Sequence, residues 1–138
     1  MQVPPHYGIV FTKHHIGMWH TAMIQPYLVG WYWVARRHII AIDELTDAEA
    51  IELGQLIRQT SVALKEVTGC IKTYVIQFAE RTDHPHVHFH IVPRMIDQPE
   101  ERNGALIFGY LGVPEENRVN EDIMNTIAIK VRGILQAT

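Results

Sequence analysis

His86-Val87-His88-Phe89-His90-Ile91-Val92 alternates imidazole with apolar side chains, perfectly so over its first five residues. In an extended chain, residues two apart point to the same face. His86, His88 and His90 therefore share a face, while Val87, Phe89 and Ile91 turn into a core. The stretch reads as a strand over residues 86–93, closed by Pro93-Arg94. Three imidazoles in a row cannot all be protonated cheaply, because like charges at that distance repel. Proximity pushes at least one towards the neutral form, which is both a nucleophile and a ligand.

Three uses fit such a face. It is an exposed strand surface that happens to employ histidine, although perfect alternation is more than nine histidines in 138 residues would scatter there. It is a metal site, since His-x-His on a strand suits a three-ligand Zn²⁺ centre with an open position; no obvious Cys or carboxylate motif completes one. Or it is a nucleophilic centre at phosphorus, with His88 attacking a phosphate to give a phosphoramidate. In that case His86 and His90 hold the nucleophile or the phosphoryl oxygens, whose spreading charge imidazoles and amides stabilise.

Outward from this strand, residues 72–79 form a second strand joined to it by a short loop at residues 81–85. Before that lies a long helix. Thr46-Asp47-Ala48-Glu49 is a capping box, Leu53, Ile57, Thr60, Leu64 and Val67 recur at helical spacing, and Gly69 supplies the stop. Gly54 inside the helix implies close approach of another backbone. Residues 27–34 (Tyr-Leu-Val-Gly-Trp-Tyr-Trp-Val) are aromatic and β-branched and read as a buried strand, left through the polar turn Arg36-Arg37-His38. Residues 16–23 are weakly strand-like. Residues 96–104 form a polar loop, and residues 104–112, rich in glycine and aromatics, fit a lid or a dimer edge. Asn120 caps a last helix running to about Leu135. A helix followed by neighbouring strands with short connections implies antiparallel pairing in an α+β domain, single over residues 1–138.

The formal net charge of −3, with no dense Lys/Arg run, argues against binding a nucleic-acid polymer. A single nucleotide needs only a few local donors. Cys70 is the only cysteine, which excludes an internal disulfide and fits a reducing compartment. No signal-peptide core opens the chain and no apolar run is long enough to span a membrane. A cytoplasmic location is the expectation.

The form His-φ-His-φ-His-φ-φ at residues 86–92, followed by Pro93-Arg94, resembles the signature of the histidine-triad superfamily. Gly30-Trp31-Tyr32-Trp33-Val34-Ala35-Arg36-Arg37-His38 is similar to that family's Pro-Gly-His-φ-φ-φ-φ-Pro-Lys/Arg-Arg-His segment. The resemblance covers about residues 16–94. It implies a five-stranded antiparallel sheet, often in a homodimer, and hydrolysis or transfer at the α-phosphate of a small nucleotide substrate through a nucleotidyl-histidine. It implies no cofactor and no catalytic metal. By position His88 matches the nucleophile, His86 and His90 its triad neighbours, and Gln77 an amide that contacts phosphate. Trp31 stands where the family has a fourth histidine, and either packs in the core or stacks a purine. His84 either sets the loop or donates to phosphate, and Arg94 either ends the strand or grips a phosphate bidentately. The ribose-binding acid has no counterpart among residues 21–27. Some relatives hold zinc through two N-terminal cysteines with the histidines matching His38 and His86; without the cysteines no structural zinc is expected.

Overall fold

The Thr46 hydroxyl oxygen accepts a hydrogen bond from the Glu49 amide while the Glu49 carboxylate accepts one from the Thr46 amide, closing the capping box and starting α1, Asp47–Thr68. Gly69 ends it in the left-handed region at φ 71°, its amide bonded to the Lys65 carbonyl. Leu53, Leu56, Thr60, Ala63 and Leu64 are buried along one side of this helix. Gly54 departs from expectation: it is exposed, and a Cβ built there meets nothing within 4 Å, so no backbone approaches it.

The computed structural model describes residues 10–11, 19–23, 31–80, 86–112 and 121–137. Within them the strands are β1 (Val10–Phe11), β2 (Trp19–Met23), β3 (Trp31–Ala35), β4 (Lys72–Ile76) and β5 (His88–Arg94), and α2 (Glu121–Ala137) follows two short 3-10 segments. Pairing runs β1-β2-β3-β5-β4 and is antiparallel throughout. The α+β class and antiparallel pairing read from the sequence hold. β4 stops at Ile76 rather than at residue 79, and Ala79 beyond it takes φ 57°, in the left-handed region. β5 begins at His88, two residues later than expected. Residues 104–112 form a 3-10 helix, Gly104–Gly112. Asn120 lies outside the described residues, so its capping role does too.

Opposed residues of an antiparallel pair lie on the same face. Trp31 faces Ile91 and Trp33 faces Phe89, so these four project together toward α1 and α2, where they join Leu64, Met124 and Val131 in the main core. Burial of this apolar surface is the chief stabilising contribution, at about 25 cal/mol per Å² removed from water. Of the two indole N–H groups in it, that of Trp33 donates to Thr60 Oγ1 at 2.8 Å, both groups buried. The other face carries His88 and His90, with Val34 beside His88 and Ile76 beside His90. Farther along that face Val92 and Ile107 bury each other under Tyr74, Ile76 and Phe108. No described helix is long and apolar enough to cross a membrane.

Candidate functional site

His88 and His90 stand side by side on the sheet face opposite the helices, ring centroids 4.8 Å apart and tilted at 75°. His88 Nδ1 lies 2.8 Å from the backbone carbonyl of His86. A carbonyl only accepts, so Nδ1 carries the proton, and in the neutral ring the lone pair is on Nε2. Burial, and then the neighbouring His88, push His90 down to about 4 from the ordinary 6.5. At neutral pH His90 is uncharged and places no positive charge beside His88.

His86 behaves differently from its two neighbours. It precedes β5, and its ring turns away toward the segment that follows β3. Its Nε2 donates to the Ala35 carbonyl, and its Nδ1 lies 3.0 Å from Nδ1 of His38. The expectation that all three rings form one row is therefore corrected. Two do, and the third reaches His88 through its backbone oxygen. The reason is the geometry of β3: its pairing with β5 ends at Val34–His88, the chain bends at Arg36 and Arg37, and the Val87 amide bonds instead to the Ile39 carbonyl at 2.9 Å.

That bend is braced from α1. The Arg37 guanidinium donates to both carboxylate oxygens of Glu49, at 2.8 and 3.3 Å, and also to the Glu44 carbonyl. The Glu44 carboxylate accepts from the amides of Ile40 and Ala41 at 2.8 and 3.0 Å. Arg37 holds the buried Glu49 carboxyl down to about 2. His38, at the crest of the bend, is exposed. The sequence marks residues 36–38 as a polar turn and a piece of the family pattern, with His38 matching a zinc-holding histidine of some relatives. The sole signal for the brace was Glu49 in the capping box, and nothing local announced its second partner.

The remaining residues singled out from the sequence divide. Trp31 is 1% exposed and packed in the main core, so its ring has no open face for a purine; its indole N–H is buried without a hydrogen-bond partner among the described residues. Arg94 lies on the face of His88 and His90, but six residues beyond His88 is roughly 20 Å along a strand. It therefore does not share a phosphate with His88. It sits opposite Lys72, donates to the Met95 carbonyl at 3.2 Å, and contacts the Tyr74 hydroxyl. Gln77 follows the end of β4 and lines a cleft of about 600 Å³ between β4 and residues 104–108, which the triad does not line. Its side-chain oxygen is buried without a partner among the described residues. His84 lies outside the described residues. Among those residues no three His, Cys, Asp or Glu side chains are grouped to hold a metal ion; His38 and His86 bring two nitrogens together and stop there.

This architecture, with paired histidines on the open face of an antiparallel sheet backed by one long helix, is that of the histidine-triad proteins. A histidine-triad protein from Bradyrhizobium japonicum superposes with a TM-score of 0.71 at 18% identity, covering 92% of this chain and 90% of that one. One from Sinorhizobium meliloti 1021 gives 0.69 at 18% identity, over 89% and 85% of the two chains. One from Marinobacter aquaeolei VT8 gives 0.66 at 17% identity, over 93% and 97%. No family model matches the sequence, and no curated protein does. The chain has the histidine-triad fold.

Proposed function

We propose that this chain is a nucleotidyl hydrolase or transferase, acting at the α-phosphate of a small nucleotide through a covalent nucleotidyl-His88. The observation that carries the reading is the bond from His88 Nδ1 to the His86 carbonyl, which directs the nucleophilic lone pair to Nε2. In the first step an N–P bond forms from Nε2, and the bond from phosphorus to the leaving group breaks with its electron pair going to the leaving group. The His88 ring becomes cationic as the N–P bond forms. Its Nδ1–H then binds the His86 carbonyl more strongly, since charge-assisted hydrogen bonds are the stronger kind. That difference between ground and transition state is what accelerates a reaction. In the second step water, or another acceptor, attacks phosphorus, the N–P bond breaks, and neutral His88 is restored.

His90, neutral at pH 7, serves as a hydrogen-bond donor to a phosphoryl oxygen or leaving group rather than as a charged acid. His86 acts through its carbonyl. Support for a nucleotide as substrate comes from the fold's company: a similar structure from Sulfolobus tokodaii strain 7 is named a hypothetical histidine triad nucleotide-binding protein (TM-score 0.64, 12% identity, over 92% and 82% of the chains).

Rapid-quench intact-mass spectrometry with adenosine 5′-phosphoramidate and with diadenosine polyphosphates tests the proposal. The expected result is a transient mass gain of one nucleoside monophosphate in the native protein, absent from His88→Ala. Turnover in His88→Ala at the native rate ends it, as does nucleotide binding with no adduct and no product.

A further inference from the structure

His88 owes its orientation to the carbonyl of a residue outside its own strand. β5 begins at His88, so the His86 carbonyl has no place in the β3–β5 ladder, whose last pair is Val34 with His88. Two contacts hold it: the Val87 amide of the same planar peptide, bonded to the Ile39 carbonyl, and the His86 ring. Nε2 faces the Ala35 carbonyl and must carry a proton, because that oxygen can only accept. In the neutral ring Nδ1 is then an acceptor, and the group 3.0 Å from it is Nδ1 of His38. His38 must therefore be the donor. The two rings, 48 residues apart in sequence, sit with centroids 5.0 Å apart.

His38 is itself placed by the braced bend. Arg37, its neighbour, is clamped by Glu49 and by the Glu44 carbonyl, and the amides of Ile40 and Ala41 are capped by the Glu44 carboxylate. A single rigid turn thus supplies three anchors to the segment entering β5: the Ala35 carbonyl and the His38 Nδ1–H to the His86 ring, and the Ile39 carbonyl to the Val87 amide.

We propose that His38 is a positioning residue for the nucleophile: by donating its Nδ1–H to His86 it locks the His86 ring, and so holds the His86 carbonyl where it fixes the tautomer and direction of His88. The kinetic consequence rests on the nucleotidyl-transfer reading; the structural consequence does not. Loss of the donor frees the His86 ring, leaves the Val87–Ile39 bond as the remaining hold on that peptide plane, and lets His88 distribute its proton between both nitrogens.

The test uses two measurements on the same proteins. Imidazole ¹⁵N spectra at about pH 8, above the ordinary histidine value, report which nitrogen bears the proton. The native protein is expected to show His88 protonated at Nδ1 and unprotonated at Nε2, and His38→Ala a mixture of the two tautomers. Kinetics with adenosine 5′-phosphoramidate should show kcat lowered by about 10–100-fold in His38→Ala, the usual range for loss of an orienting partner, with KM little changed. His38→Asn, whose amide N–H stands where Nδ1–H stood, should recover most of the kcat and the native tautomer. An unmoved His88 tautomer in His38→Ala overturns the proposal, and so does His38→Asn performing no better than His38→Ala. Should the spectra shift as described while the native protein turns over no nucleotide, the relay stands and the enzyme reading falls. Turnover with unmoved spectra has the opposite meaning.

Discussion

The two faces of β5 answer to different physics. Toward the helices, Val87 and Ile91 are fully buried and Phe89 is 8% exposed; toward the open side, His88 and His90 are only partly covered. On the first face what counts is apolar volume, and dispersion and transfer from water care little for direction. On the second what counts is which nitrogen holds a proton and where it points. Alternation along five residues therefore joins a surface that determines stability to one that determines chemistry, and each can be damaged without the other. The sharpest way to break this separation is the pair His88→Ala and Phe89→Ala. Removing the Phe89 ring should cost about 3–5 kcal/mol of stability, read from urea denaturation, while His88→Ala leaves the unfolding midpoint nearly unchanged and removes the chemistry. If His88→Ala unfolds as readily as Phe89→Ala, the histidine face is structural and the division fails.

What was legible in the sequence followed the same division. Alternation in β5, the capping box at Thr46 and Glu49, the apolar stripe of α1 and the left-handed stop at Gly69 are all written within a few residues of one another, so local periodicity and stereochemistry reveal them. The site was legible only as far as it is local. His88 and His90 fall on one face because strands alternate, whereas the turning of His86 toward His38 depends on where β3 stops pairing. The Arg37–Glu49 ion pair joins the end of a strand to the start of a helix, and no spacing rule encodes it. Trp31 was open to two readings because an aromatic serves a core or a base equally well; its register against Ile91 decides for the core. Arg94 shared the right face but not the right distance, and alternation speaks only of the face.

The second expected effect separates the faces by pH. His90 has its value depressed to about 4 by burial and by His88, against 6.5 for an ordinary histidine. Above pH 6.5 it is neutral both folded and unfolded, and its full contribution is present. Between 6.5 and 4 the unfolded chain takes up a proton that the folded chain refuses, so stability falls as pH falls, by at most on the order of 3 kcal/mol. Glu49, depressed from 4.5 to about 2 by Arg37, loses its contribution in a lower window, from 4.5 down to 2. Urea denaturation at a series of pH values should show a decline beginning near 6.5 in the native protein and much reduced in His90→Gln, with the lower decline intact in both. A His90→Gln curve parallel to the native one across the upper window refutes the assignment.

The smallest expected effect lies away from β5 altogether, on α1, and asks whether the rest of the scaffold follows backbone rules alone. Gly54 lies in the helix that Gly69 ends, and beyond the adjoining backbone no described atom stands within 4 Å of where a Cβ would be at either. Space is therefore no objection to alanine at either position, and any difference between them is conformational. Gly54 lies mid-helix and exposed, where alanine lowers the entropy of the unfolded chain and should stabilise by about 1 kcal/mol. Gly69 sits at φ 71°, where alanine brings its Cβ against the following carbonyl and should destabilise by about 1 kcal/mol. Thermal melts of Gly54→Ala and Gly69→Ala should move in opposite directions, with activity at moderate temperature unaltered in both. A loss of stability in Gly54→Ala would mean that something packs on the exposed side of α1, the close approach first read from the sequence, and that the scaffold's outer face has a partner of its own.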